Sequence, residues 1–183
     1  MLRLLYALLL GLVGAGIVHI AVLLLLPMIS QNDAWSRLAA SSDLYKITRL
    51  DAESGVTPVV RSVDPLFDAA ACRFDLSDGV LKVTANGHAP FWSVSVYNRA
   101  GENIYSFNDH TLPDGGIDFI VLTSTQLVEL RKEMPEGLDK SIYVESPDEQ
   151  GIVVVRGFVP DKSWEKQVVD FLGGISCAPE QQQ

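Results

Sequence analysis

The stretch Ala70-Ala71-Cys72-Arg73-Phe74-Asp75-Leu76-Ser77-Asp78-Gly79-Val80-Leu81-Lys82-Val83-Thr84-Ala85 decides the fold. Cys72, Phe74 and Leu76 alternate with Arg73 and Asp75, and Leu81, Val83 and Ala85 alternate with Lys82 and Thr84. A period of two is the signature of strands with one buried face. Asp78-Gly79 between the runs reads as a two-residue type I′ turn, whose central positions both need positive φ. That turn predicts a hairpin pairing Ser77 with Val80, Leu76 with Leu81, Phe74 with Val83 and Cys72 with Ala85. The opposite face then pairs Asp75 with Lys82 and Arg73 with Thr84, an apolar face backed by a polar one.

Outward from this stretch the pattern stays strand-like. Phe91–Asn98 alternates, with Trp92, Val94 and Val96 on one face and Phe91, Ser93, Ser95 and Tyr97 on the other. Arg99-Ala100-Gly101 turns the chain into Asn103–Asn108, and Ile117–Leu122 reads as a buried strand. Thr123-Ser124-Thr125-Gln126 fits a capping box for a helix with Leu127, Leu130 and Met134 inward and Pro135 at its limit. Strands follow at Ser141–Glu145 and Ile152–Phe158, the Ile152–Val155 run being apolar enough for burial on both faces. A last helix begins near Asp161, with Trp164, Val168, Phe171 and Leu172 as its apolar stripe and Gly173 able to stop it. On the other side, Leu44–Leu50 and Val59–Val63 read as short strands, and Asp64-Pro65 punctuates the chain. Strands outnumber helices and no βαβ alternation supports a parallel sheet. The expected fold is mainly β: an antiparallel β-sandwich-like domain with two peripheral helices.

The amino terminus differs in kind. Leu4–Ile29 carries no formal charge, and about 20 such residues cross the hydrocarbon core. The apolar region of a cleaved signal peptide is shorter, about 7–15 residues. The exit Pro27-Met28-Ile29-Ser30-Gln31-Asn32 holds no convincing cleavage pair, so an uncleaved transmembrane helix is expected. Arg3 before the run keeps the terminus cytoplasmic and exports the rest of the chain. The expected organisation is an anchor over 1–29, a helical linker over 30–43 with Trp35, Leu38 and Ala39 as contacts, a β-rich outer domain over 44–178 and a flexible tail over 179–183. Trp35 suits either a membrane interface or a packed linker helix. Gly11, Ala15 and His19, spaced i, i+4, i+8, share one helix face suited to packing against another transmembrane helix.

Beyond residue 30 the chain carries 13 Lys and Arg against 23 Asp and Glu, a net charge of −10. Such a surface repels phosphate backbones, so nucleic acid is not an expected partner. The two cysteines, Cys72 and Cys177, would form a disulfide in an oxidising compartment, and their spacing is not that of a metal site. Asp109 and His110 are the weak polar-site candidates: a carboxylate beside an imidazole could do acid–base work, yet both residue types also populate turns. Asp64 and Asp68 could form a carboxylate pair or open a helical turn. The sequence holds no Gly-x-Ser-x-Gly elbow, His-Glu-x-x-His, phosphate loop or dinucleotide fingerprint. No catalytic residue, metal or cofactor is expected.

Three segments carry a family resemblance. They are Ala70–Leu76, Pro90-Phe91-Trp92-Ser93-Val94-Ser95-Val96-Tyr97-Asn98, and Asn103-Ile104-Tyr105-Ser106-Phe107-Asn108-Asp109. Together with Arg156-Gly157-Phe158-Val159-Pro160, they resemble the bacterial envelope family called domain of unknown function 1254. The Trp-Ser-Val-Ser-Val-Tyr segment is also similar to its companion, domain of unknown function 1214. The resemblance implies a β-sandwich-type fold and an envelope location, and names no catalytic residue. The expectation is a single-pass protein of the bacterial inner membrane with its outer domain in the periplasm, a non-catalytic module that binds or organises a partner. That partner would be a second single-pass protein with the companion domain, or a second copy of this chain. The rival expectation is an enzyme or ligand-binding domain acting on an envelope lipid or glycan.

Overall fold

The computed structural model describes residues 2–30, 34–50, 64–111, 116–132 and 141–180. The strand expected at Val59–Val63 and the helix end at Met134-Pro135 lie outside them. The chain divides into two compact units, Met1–Asp33 and Ala34–Gln183.

In the first unit a single helix, α1, runs Leu2–Ser30. Its segment Leu2–Leu25 is long and apolar enough to cross a membrane, and none of it is buried by protein. At 1.5 Å per residue, 24 residues reach about 36 Å, more than the hydrocarbon thickness.

In the second unit the described residues form nine strands in two sheets. The first sheet, in spatial order, is β1 (Thr48–Arg49), β2 (Phe67–Asp75), β8 (Gln150–Phe158), β4 (Trp92–Asn98) and β5 (Asn103–Asn108). The second is β7 (Ile142–Ser146), β6 (Ile117–Thr123), β3 (Val80–Ala85) and β9 (Ile175–Glu180). Their inner faces form one core: Cys72, Phe74, Trp92, Val94, Val96, Val153 and Val155 from the first sheet, Leu81, Val83, Phe119, Val121 and Cys177 from the second. The mainly-β sandwich expected from the alternation is the fold observed.

The hairpin register is not. β2 pairs with β8, setting Asp75 against Gln150 and Arg73 against Ile152, while β3 pairs with β6 and β9. Leu76–Asp78 is a single 3-10 turn that carries the chain from one sheet to the other. Asp75 Oδ1 accepts from Ser77 N at 3.0 Å and Ser77 Oγ at 2.6 Å, capping that turn. Leu76 N donates to Glu149 O at 2.7 Å and Gln126 Nε2 donates to Leu76 O at 2.8 Å, so neighbouring loops hold the crossover. Gly79, at φ 137°, supplies the backbone angle that a side chain would resist. Cys72, Phe74, Leu76, Leu81, Val83 and Ala85 do share one apolar core. They belong to two facing sheets, not to one ladder.

The Arg99–Gly101 turn does join antiparallel β4 and β5. Buried Asn98 braces it, accepting from Glu102 N at 2.8 Å and donating to Glu102 Oε2 at 2.7 Å. The capping box forms: Thr123 N donates to Gln126 Oε1 at 2.9 Å and Gln126 N to Thr123 Oγ1 at 3.3 Å. The helix it starts, Ser124–Lys132 (α3), lays Leu130 on Ile120 and Leu122, the outer face of the second sheet. β6 and β7, on either side of α3, are parallel. One βαβ unit therefore sits in an otherwise antiparallel sandwich, against the expectation of none. The last helix, Lys162–Gly173 (α4), is capped by Asp161 and adds Val168, Phe171 and Leu172 to the core. A Cβ on Gly157 of β8 would lie 2.5 Å from Val168 Cγ1, so glycine lets this helix approach the sheet. After α4 the chain enters β9, which had no sequence expectation and runs through Pro179 and Glu180, into the segment read as tail. At the start of the second unit, Ala34–Ser41 (α2) forms the helix expected as a linker, with Trp35 and Leu38 buried and Ala39 exposed.

Cys72 of β2 and Cys177 of β9 form a disulfide between the two sheets, with Cα atoms 6.7 Å apart and a sequence separation of 105. In the chain-entropy model a loop of that length contributes about 4–5 kcal/mol.

Tyr45 ties the approach to β1 to the crossover. Its backbone has φ 60°, and its hydroxyl donates to Asp75 O and, at 2.9 Å, to Asp78 Oδ2. Burial and the bond to Asp78 push the phenol up to about 12 from 10.0. A raised folded value favours the neutral phenol in the native state. Its contribution is therefore full below pH 10 and is lost as pH rises through about 12. The urea midpoint of the wild type should fall more than that of Tyr45→Phe over this window. Equal declines in both proteins would contradict the assignment.

Candidate functional site

The outer face of the first sheet is where the structure gathers unusual chemistry. Trp35 and Leu38 of α2 cover Ala71 and Ile152, with Val154 and Leu50 at the margin. Two guanidiniums lie against the indole: Arg73 Cζ is 5.0 Å and Arg99 Cζ 4.6 Å from the Trp35 ring centroid. Both are within the range of cation–π attraction. Arg73 is buried, and its Nη2 donates to Ser42 O at 2.6 Å. Burial lowers the Arg73 pKa, the Asp43 carboxylate opposes that shift, and the like charge of Arg99 adds to it. Arg73 Nε and Arg99 Nη1 are buried without a hydrogen-bond partner. The indole is thus central to how this face accommodates two cations.

Beside α2 the same face holds an arginine of a different kind. Arg156 lies between Ala69 of β2 and Ser93 of β4 in the ladder, two small neighbours that leave room for a long side chain. Its Nη1 donates to Ser95 Oγ at 3.2 Å and its Nη2 to Tyr97 Oη at 3.3 Å. Ser95 is buried; its hydroxyl meets Ser106 Oγ at 3.1 Å, which in turn meets Asn103 Nδ2 at 2.8 Å. Among the described residues no carboxylate lies within ion-pair distance of Arg156; the salt bridges there are Arg49–Asp68 at 4.0 Å and Lys132–Glu129 at 2.8 Å. None of its remaining donors is a buried unpaired atom, in contrast to Arg73 and Arg99.

Elsewhere an open groove of about 510 Å³ runs between the β3–β4 loop and α4, lined in part by Asn86, His88, Lys166 and Asp170. Those four residues are exposed, and Gln167 Nε2 donates to His88 O at 2.9 Å. Charges so well solvated interact weakly and gain little from preorganisation.

Of the residues singled out in the sequence, Cys72 and Cys177 are brought together. Gly11, Ala15 and His19 lie exposed on α1, and a Cβ on Gly11 would meet nothing within 4 Å. Asp109 and His110 sit in a 3-10 turn, Asp109–Thr111, with no hydrogen bond between their side chains. His110 N donates to Asn108 Oδ1 at 3.2 Å, and Asp109 Oδ1 is buried without a partner. Asp64 accepts from Leu66 N at 2.9 Å and Asp68 faces Arg49, so these two acids are placed by different partners. Among the described residues no group of three or more His, Cys, Asp or Glu could hold a metal. Sequence reading passed over Trp35 with Arg73 and Arg99, and Arg156 with Ser95 and Tyr97. The available signal was the polar Ser93, Ser95, Tyr97 face and an arginine ending the Ile152–Val155 run.

The sequence matches no protein-family model, and no curated protein is similar to it. The fold is similar to the crystal structure of the VPA0106 protein from Vibrio parahaemolyticus, with a TM-score of 0.60 at 10% identity. The likeness covers 84% of this chain and 39% of that one. A putative uncharacterised protein from Burkholderia cenocepacia is more distant, with a TM-score of 0.46 at 13% identity over 75% of this chain and 37% of that one. This chain therefore spans well under half the length of either. The Vibrio structure supports the sandwich architecture alone.

Trp35→Ala is expected to cost about 3 kcal/mol, the usual scale for emptying a buried aromatic site, because it also leaves two guanidiniums facing a void. Arg99→Met, which keeps the apolar stem, should cost about 1 kcal/mol. Urea unfolding of the detergent-solubilised chain measures both. A Trp35→Ala cost below that of Arg99→Met would contradict the docking of α2 on this face.

Proposed function

We propose that this chain is a membrane-tethered module of the bacterial cell envelope whose outer domain binds or organises a partner without catalysing a reaction. The observation that carries the reading is the disulfide between the two sheets in a chain that also bears a 24-residue apolar helix. Such bridges persist in oxidising compartments, which in a bacterium means the periplasmic side of the inner membrane. The apolar helix supplies the tether, and Arg3 ahead of it supplies the orientation. The outer face of the first sheet, covered in part by α2 and carrying Ser93, Ser95, Tyr97 and Arg156 beside it, supplies a surface for recognition. In this reading the exposed Gly11, Ala15 and His19 face of the helix meets a second single-pass protein or a second copy.

A carboxy-terminal alkaline phosphatase fusion should be active in cells, since that enzyme folds only outside the cytoplasm. The mature protein should keep Met1 or Leu2. A soluble product lacking residues 1–30 would contradict the tether, and activity only from a cytoplasmic reporter would contradict export.

A further inference from the structure

We infer that the Arg156 face is a binding site for an acidic saccharide, with the sugar carboxylate on the guanidinium. The inference rests on the binding-module reading above and names the chemistry of its partner. Beyond residue 30 acids outnumber bases 23 to 13, yet Arg156 is held by two neutral hydroxyls. A guanidinium has five N–H donors; two are committed, to Ser95 and Tyr97. Arg156 is only partly buried and none of its remaining donors is a buried unpaired atom; a planar carboxylate is their natural complement. Around them stand Ser93, Asn103, Ser106 and Asn108, neutral hydrogen-bonding side chains brought alongside by the β4–β5 and β4–β8 registers. Such a set matches the vicinal hydroxyls of a pyranose ring. Val154 and the Phe67–Phe158 ring pair flank it on the same face, an apolar margin that suits the C–H face of a sugar ring, and its one cation favours a single negative charge. A phosphate dianion approaching a domain of net charge −10 is the worse fit.

The supporting geometry is already fixed by neighbours. Ser95 is buried and joined to Ser106, and Ser106 to Asn103, so Arg156 is oriented before any ligand arrives. Preorganisation of that kind lowers the ordering cost of binding.

The test is a titration of the full chain, in neutral detergent micelles at constant ionic strength, with sodium glucuronate, glucose or inorganic phosphate. The backbone amide signals of Ser95 and Tyr97 report binding. Glucuronate should shift them saturably with a midpoint on the order of 1 mM, and glucose and phosphate should not. Arg156→Met should weaken glucuronate at least tenfold, the scale of a charged hydrogen bond. Tyr97→Phe, a milder change that serves if Arg156→Met unfolds, should weaken it severalfold with the thermal midpoint unchanged. Equal responses to glucose and glucuronate, tighter binding of phosphate, no saturation, or full binding by a folded Tyr97→Phe variant would each overturn the assignment. A failed titration beside an active phosphatase fusion removes the ligand and leaves the tethered module intact.

Discussion

The sandwich depends on two apolar faces meeting across one core, and the Cys72–Cys177 bridge crosses that core from β2 to β9. The crossover, the last helix and the ring contacts of the sandwich answer to this arrangement. The crossover at Leu76–Asp78 delivers the chain from the first sheet to the second, and α4 closes against both β2 and β8. Aromatic rings fill the space between: Trp92 meets Phe107 edge-on at 6.1 Å, and Phe107 meets Phe119 at 5.2 Å. A bridge that ties distant chain segments across this core restricts the unfolded state more than a local one would. Such a bond persists where thiols are oxidised, which is the compartment the proposed function assigns to this domain.

What the alternation in the sequence made legible was which residues face inward. Cys72, Phe74, Leu76, Leu81, Val83 and Ala85 are all buried, as period two requires. Which strand lies beside which was not legible, because pairing is a non-local choice that period two does not encode. Asp78-Gly79 is a strong local hairpin signal, yet Asp75 caps a 3-10 turn there and Gln150 Nε2 donates to its other oxygen at 2.7 Å. β8 provided a long apolar partner for β2, and that outweighed the turn. β9 escaped notice because Ser176, Ala178 and Pro179 lie toward solvent on an edge strand, leaving only Ile175 and Cys177 as buried signals. The proline there suits an edge, where the missing donor faces no neighbour.

The same limit applies to the polar chemistry. Asp109 and His110 drew attention as sequence neighbours, but adjacency in a turn does not aim two side chains at one point. The cations of the outer face come from separate elements: Arg73 from β2, Arg99 from the β4–β5 turn, Arg156 from β8. Only the folded ladder sets them around Trp35 and Tyr97. Their environments then divide their roles. Arg73 and Arg99 are committed to holding α2 through an indole, while Arg156 sits on hydroxyls with donors left over.

In the proposed function the sandwich is locked by its inter-sheet disulfide in an oxidising compartment. Cells expressing the full chain can be quenched with acid and alkylated without reductant, and the peptides holding Cys72 and Cys177 identified by mass spectrometry. The two peptides should be recovered linked, with neither cysteine alkylated until reductant is added. Quantitative alkylation of both cysteines in the unreduced sample would contradict the claim.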